Sequence, residues 1–92
     1  MNFQTLKMEL TFNHKCNYRT ILHIIEARCD SIIYIKLVNN DTKSIIIFDI
    51  HEDICHITYT DDSKKYINTE DISSYILPMM NANLSITISI AI

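Results

Sequence analysis

The sequence predicts an α+β fold, an antiparallel β-sheet of five or six strands with one or two helices packed on one face. Apolar and polar residues alternate near both ends of the chain, the middle holds three apolar runs separated by turn residues, and one later segment has helical spacing. With 92 residues, the chain is expected to form a single globular domain over residues 1–92.

Strands are predicted near both ends of the chain. Apolar residues occupy every second position from Leu6 to Phe12 and again from Leu84 to Ile92. A period of two is typical of a strand with one buried face. The C-terminal segment is uncharged, whereas exposed edge strands usually carry Lys or Pro. We therefore expect the C-terminal strand either to lie inside the sheet or to pair with a partner chain.

The middle of the chain predicts an antiparallel meander. Its three apolar runs are residues 31–38, 44–51 and 54–60. Turns centred on Asn40-Asp41 and on Glu52-Asp53 would join them, since Asn and Asp tolerate positive φ better than most residues. The chain contains no glycine that could take these places.

These turns sort the meander into two faces. The face expected to form the core carries no charge and contains Ile33, Ile35, Leu37, Ile46, Phe48, Ile50, Cys55, Ile57 and Tyr59. The second face contains Ile32, Tyr34, Lys36, Ile45, Ile47, Asp49, His56, Thr58 and Thr60. A slip of the first hairpin by one residue would move Lys36 into the core, so we prefer the stated register.

A helix is predicted after the meander. Its apolar face consists of Ile72, Tyr75, Ile76 and Met79. Asn68 or Thr69 can cap it, with acidic residues in the first turn. Pro78 disfavours helical backbone at Leu77, where the helix should end or kink.

Segment 18–29 fits two structures. A helix behind an Asn17 cap would align Tyr18, Ile21, Leu22, Ile25 and Cys29. A strand paired with residues 31–38 would align Ile21, His23, Ile25 and Ala27. Short apolar runs often permit both, and periodicity alone leaves the choice open.

Candidate metal ligands and nucleophiles have simpler explanations. His51, Cys55 and His56, with His14 and Cys16, would be the zinc ligands, but adjacent residues on a strand point to opposite faces. We expect Cys55 in the core and His56 across from Asp49. The acidic pairs lie at predicted turns or at the helix start, and they are Glu52-Asp53, Asp61-Asp62 and Glu70-Asp71. The expectation is no metal site, no cofactor, no catalytic residue and no enzymatic activity.

The composition points to an AT-rich genome. The chain has 19 Ile but a single Val, although both residues suit buried strands equally. Isoleucine, asparagine, lysine and tyrosine have AT-rich codons, while the absent glycine and the single proline have GC-rich codons. Such a signature suits some viruses, phages and mobile elements.

Charge and hydropathy narrow the partners and the compartment. Residues 1–48 carry six basic and four acidic groups, whereas residues 49–71 carry seven acidic and two basic groups. The net charge of −3 argues against direct nucleic-acid binding. No apolar run is long enough to span a membrane. Three cysteines suggest reduced thiols in the cytoplasm of the host cell.

Two binding modes are predicted for a partner, which would be a host protein or nucleoprotein complex. The acidic residues Asp49, Glu52, Asp53, Asp61 and Asp62 could converge at one sheet edge and occupy a basic groove. Alternatively, the second sheet face, with Tyr34 and Ile47, or the C-terminal strand could form an apolar interface. A homodimer through that strand or that face would also bury these surfaces.

The resulting hypothesis is a small, non-enzymatic, protein-binding inhibitor or modulator of a host macromolecule. An AT-rich virus, phage or mobile element would encode it, with an anti-defence role of the anti-CRISPR or immune-evasion kind. The alternative is a small structural or assembly component of a virus or mobile element.

Overall fold

The structure, a computed structural model, describes residues 5–12, 17–27, 31–79 and 81–91. Its strands are β1 (Thr5–Phe12), β2 (Ile32–Asn39), β3 (Ile45–His51), β4 (Ile54–Tyr59), β5 (Lys64–Asn68) and β6 (Leu84–Ala91). Its helices are α1 (Asn17–Ala27) and α2 (Ile72–Ile76), and 3-10 turns at Thr69–Asp71 and Leu77–Met79 flank α2. The strands form one six-stranded antiparallel sheet in the order β1-β6-β2-β3-β4-β5, which confirms the predicted α+β class.

The C-terminal strand lies inside the sheet. Strand β6 pairs along its whole length with β1 on one side and β2 on the other, so that Ala91 lies opposite both Thr5 and Ile32. The first of the two predicted alternatives is therefore correct. A homodimer through pairing of this strand is wrong, because both of its hydrogen-bonding edges are already occupied.

The faces of the meander are as predicted, but one register is not. Strand β3 pairs with β4 around Glu52-Asp53, with Ile50 opposite Cys55, as expected. Between β2 and β3, Val38 lies opposite Ile45, which moves the turn centre one residue beyond Asn40-Asp41. The partner of each β2 residue on β3 therefore lies two residues later than predicted. Because successive side chains of a strand alternate between faces, a shift of two residues leaves every side chain on its predicted face.

Hydrogen bonds of Asn39 explain this longer first turn. Its side-chain Oδ1 accepts the backbone N–H groups of Asp41 (3.0 Å) and Thr42 (3.1 Å). Its carbonyl accepts the N–H of Lys43 at 2.8 Å, and Lys43 adopts a φ of 65°. An Asn side chain at the end of β2 therefore closes a four-residue loop that the Asn40-Asp41 pattern did not reveal.

The core lies between one sheet face and the two helices. Its buried residues are Ile21, Ile25, Ile33, Ile35, Leu37, Phe48, Ile50, Cys55, Ile57, Ile72, Ile76, Leu84, Ile86, Ile88 and Ile90. The predicted core residues Ile46 and Tyr59 are only half-buried and pack at the margin of this cluster.

Residues 18–27 of the ambiguous segment are helical, which settles the open choice for the described residues. Ile21 and Ile25, one helical turn apart, are buried, whereas His23 and Ala27 are exposed. A strand would have placed all four on one face. The helix begins at Asn17, and Cys29 lies outside the described residues.

The sixth strand of the sheet is β5, which the sequence pattern did not predict. Its alternation is weak, because Ile67 is the one residue of this strand that turns a half-buried apolar side chain toward the core.

The end of α2 follows the prediction, and its start does not. The α-helix stops at Ile76, and a 3-10 turn continues through Pro78. Neither Asn68 nor Asp71, the residues at the cap positions, makes a side-chain capping bond. Thr69 instead donates its hydroxyl to the carbonyl of Glu52 and its N–H to the carbonyl of Asp53, both at 2.7 Å. These bonds dock the helix start on the β3–β4 turn.

Replacing Glu52 with glycine should stabilise the protein by about 1 kcal/mol. Glu52 adopts a φ of 53°, where a Cβ atom clashes with the backbone and glycine does not. Asp53→Gly is the matched control, because Asp53 has no positive φ and the added freedom of the unfolded chain should destabilise it. Urea unfolding of both variants measures the difference. Equal effects of the two substitutions would contradict the assigned backbone.

Candidate functional site

One face of the sheet carries no helix from the described part of the chain, and we call it the open face. Both helices bury their apolar side chains against the opposite face. The described side chains of the open face are Ile32, Tyr34, Lys36, Val38, Ile45, Ile47, Asp49, His51, Ile54, His56, Thr58, Lys64, Tyr66, Asn68, Ser85, Thr87 and Ser89.

A straight row of side chains crosses four strands of the open face. Tyr34 lies opposite Asp49, Asp49 opposite His56, and His56 opposite Tyr66. The His56 ring meets the Tyr66 ring edge-on, with centroids 4.2 Å apart and planes at 72°. The predicted cross-strand partnership of Asp49 and His56 is therefore confirmed by the register.

A second row lies directly beside the first. Ile32, His51, Ile54 and Asn68 occupy the neighbouring outward positions on the same strands. We call these two rows together the two-row patch. Of the five exposed large hydrophobic residues among the described side chains, four belong to it: Ile32 (42% exposed), Tyr34 (37%), Ile54 (51%) and Tyr66 (68%). The fifth, Leu77, lies at the end of α2.

Ile47, predicted as part of an apolar interface, borders this patch. It lies on the other side of the first row, opposite Lys36 on β2 and Thr58 on β4. Its side chain is only half-exposed. The structure thus brings Tyr34, Asp49 and Ile47 together on one face, but gives Ile47 a marginal position.

The predicted acidic residues do not converge. Glu52 and Asp53 form the β3–β4 turn, whereas Asp61 and Asp62 form the β4–β5 turn at the opposite end of β4. A six-residue strand spans about 20 Å, well beyond the Debye length of about 8 Å at physiological salt. These carboxylates therefore form two separate groups, and the expectation of one patch at one sheet edge is wrong.

Asp61 has a local structural role. Its Oδ1 accepts hydrogen bonds from the backbone N–H of Ser63 at 3.0 Å and from the Ser63 hydroxyl at 2.6 Å. These bonds lower the pKa of Asp61 from its usual value. Asp62 follows with a φ of 66°, as a three-residue hairpin loop requires. The turn geometry accounts for this acidic pair without a partner.

The other acidic pair is part of a larger negative end. The contacts of Thr69 with the β3–β4 turn bring Glu70 beside Asp53, with Asp71 following. All four carboxylates at this end are exposed. Within the described residues, no group of three or more His, Cys, Asp or Glu side chains is placed to hold a metal ion. His14 and Cys16 lie outside those residues.

Cys55 is a core residue with a protonated thiol. It is fully buried on the helix side of the sheet, while its neighbour His56 lies on the open face. Burial, and secondarily the charge of Asp49, raises the pKa of Cys55 to about 12. A nucleophilic cysteine needs an accessible thiolate, so this residue is suited to packing and not to attack.

Sequence patterns identified only two of the eight residues of the two-row patch, Tyr34 and Asp49, as binding residues. Tyr66 and Asn68 were missed because no pattern located strand β5. The other four lie on strands β2 to β4, which periodicity did predict, but nothing in the sequence singled them out as binding residues. The Asp61-Asp62-Ser63 turn directly after β4 is the one signal that could have indicated a further hairpin strand.

No protein-family model, no curated protein and no solved structure matches this chain. Among the described residues, the structure contains no helix that is both long enough and apolar enough to cross a membrane.

Cys55 should resist thiol reagents while the protein is folded. With a pKa near 12, roughly one thiol in ten thousand is ionised at pH 8, and the side chain is fully buried. A Cys16→Ser, Cys29→Ser variant isolates its signal in labelling followed by mass spectrometry. We expect labelling only as fast as the protein unfolds. Rapid labelling in native buffer would contradict the buried position.

Proposed function

We propose that this chain is a non-enzymatic binding protein that docks on another protein through the two-row patch. One observation carries the proposal: four of the five exposed large hydrophobic side chains lie side by side on the open face. Contiguous exposed apolar surface on a small soluble domain commonly marks an interaction site.

The chemistry of the patch suits a protein partner. Tyrosine offers a large apolar ring with a polar tip and is enriched where interfaces hold most of their binding energy. Tyr34 and Tyr66 stand at either end of the first row, with Asp49 and His56 between them as hydrogen-bonding groups. At about 4.8 Å between strands, the four strands present a nearly 15 Å wide surface.

The charges near the patch define the complementary partner surface. Asp49 lies inside the patch, and the carboxylates of Glu52 and Asp53 lie at the adjoining end of β3 and β4. Burying Asp49 without a counter-charge would be costly. The partner should therefore present apolar side chains with an Arg or Lys directed at Asp49.

Inhibition or modulation of a host macromolecule is the activity we attach to this binding mode. A small domain acts in this way by occupying a surface that the partner needs. The AT-rich composition supports an origin in a virus, phage or mobile element and hence an anti-defence role. Proximity cross-linking in cells that express the chain would identify the partner.

Once a partner is identified, substitutions in the patch should weaken binding at least tenfold. Tyr34→Ala and Ile54→Ser each remove exposed apolar surface without touching the core. Leu77→Ala is the matched control, since Leu77 is 55% exposed but lies at the end of α2. Isothermal titration calorimetry gives the Kd, and thermal unfolding verifies the fold. Full affinity in both patch variants would refute the proposal.

Charge reversal should show that Asp49 contributes to binding and that the carboxylates of the β4–β5 turn do not. Asp49→Lys opposes the expected basic group of the partner and should weaken binding by an order of magnitude or more at low salt. Asp61→Lys changes a charge at the far end of β4 and should change the Kd less than threefold. If both substitutions weaken binding equally, the partner covers both ends of the sheet.

A further inference from the structure

Among the described strands, β5 is an edge of the sheet, and the hydrogen bonds around it show which of its backbone groups point away from β4. At one end of β5, the N–H of Tyr59 donates to the carbonyl of Ser63. At the other end, the N–H of Thr69 donates to the carbonyl of Asp53. Antiparallel pairs alternate between bonded and non-bonded positions. Lys65 and Ile67 therefore direct their backbone groups at β4, whereas Lys64, Tyr66 and Asn68 direct theirs outward.

We propose that β5 pairs with β5 of a second copy of this chain, antiparallel and about a two-fold axis at Tyr66. Tyr66 then faces Tyr66 of the second copy, and Lys64 faces its Asn68. Each of the three outward residues forms a bonded pair, so all outward N–H and C=O groups of both strands are satisfied.

Other registers are less favourable. Shifting the axis to Lys65 places that lysine directly opposite its own copy and leaves the backbone of Asn68 unpaired, and like charges directly opposite each other destabilise a sheet. Shifting it to Ile67 leaves the backbone of Lys64 unpaired. The Tyr66 register avoids both defects, because Lys65 then lies opposite Ile67.

The charge order along the strand also matches a second copy. Two lysines begin β5, and Glu70 and Asp71 follow its end. Antiparallel pairing therefore places the two lysines of each strand beside Glu70 and Asp71 of the other. Asp61 and Asp62, which precede the lysines, lie in the turn that leads from β4 into β5. This complementarity is built into the chain itself and requires no foreign partner.

A groove along β5, lined by residues of both sheet faces, provides room for this contact. It has a volume of about 760 Å³ and lies between β5 and α2, with Lys65, Ile67, Asp71 and Tyr75 in its lining. Within one copy, Lys65 Nζ lies 5.0 Å from the centroid of the Tyr75 ring. In the paired arrangement, Lys65 of the second copy lies opposite Ile67 and reaches toward the Asp71 end of the groove.

The pairing joins the two open faces into one. Because residues of the same face stay on the same side of an extended sheet, the two Tyr66 side chains, 68% exposed in a single copy, would meet at its centre. The two-row patches of both copies become continuous. This inference goes beyond the proposed function and does not depend on it.

Disulfide trapping tests both the dimer and its register. In a bonded antiparallel pair the Cα atoms are about 5.5 Å apart, a separation that a disulfide spans. Tyr66→Cys in the Cys16→Ser, Cys29→Ser background should therefore form a covalent dimer under mild oxidation at micromolar concentration. Ile54→Cys is the matched control, being exposed on the same face one strand further inward.

A charge swap tests the same contact without cysteine. Asp71→Lys should reduce the dimer fraction in analytical ultracentrifugation, and adding Lys65→Glu should restore it. The inference is overturned if Tyr66→Cys cross-links no more than Ile54→Cys, or if the parent protein remains monomeric at high concentration. Tyr34→Ala should leave the dimer unchanged, so failure of the dimer is distinguishable from failure of the proposed binding function.

Discussion

The pairing of β6 with two strands at once organises the whole molecule. Strands β1 and β2 each pair antiparallel with β6, so they run parallel to each other with β6 between them. Helix α1 connects β1 to β2, and α2 precedes β6, so both connections must cross the sheet on a face. The strand tolerates its central position because it carries no charged residue and contributes Ile86, Ile88 and Ile90 to the core.

The same arrangement explains why a small domain leaves one sheet face uncovered. Both helices pack on the face that β6 and the meander make apolar, and no helix among the described residues remains for the other. Strict alternation then brings Tyr34, Asp49 and His56 into one row on adjacent strands. A surface of aromatic and apolar side chains around a carboxylate is the direct product of this one-sided packing, and it is the basis of the proposed docking function.

Backbone strain and local polar groups replace glycine in the turns. Lys43, Glu52 and Asp62 adopt positive φ values, one in each of the three hairpins that join β2 to β5. Side chains nearby compensate, as when Asp61 binds Ser63. Because acidic residues serve local purposes in these turns, the high density of carboxylates in residues 49–71 led to the prediction of too many binding residues. Asp61 and Asp62 shape a turn, and only Asp49 lies inside the two-row patch.

Periodicity in the sequence by itself determined five of the six strands and the position of Tyr34, Asp49 and Ile47 on the second face. It could do so because alternation is a local property of consecutive residues. Only the tertiary structure decided that residues 18–27 form a helix, that β5 exists and that β6 lies between β1 and β2. These depend on contacts between residues far apart in the chain, and a five-residue strand such as β5 has too little alternation to be detected. The two-row patch needed both kinds of information, since Tyr66 joins Tyr34 only through the pairing of four successive strands.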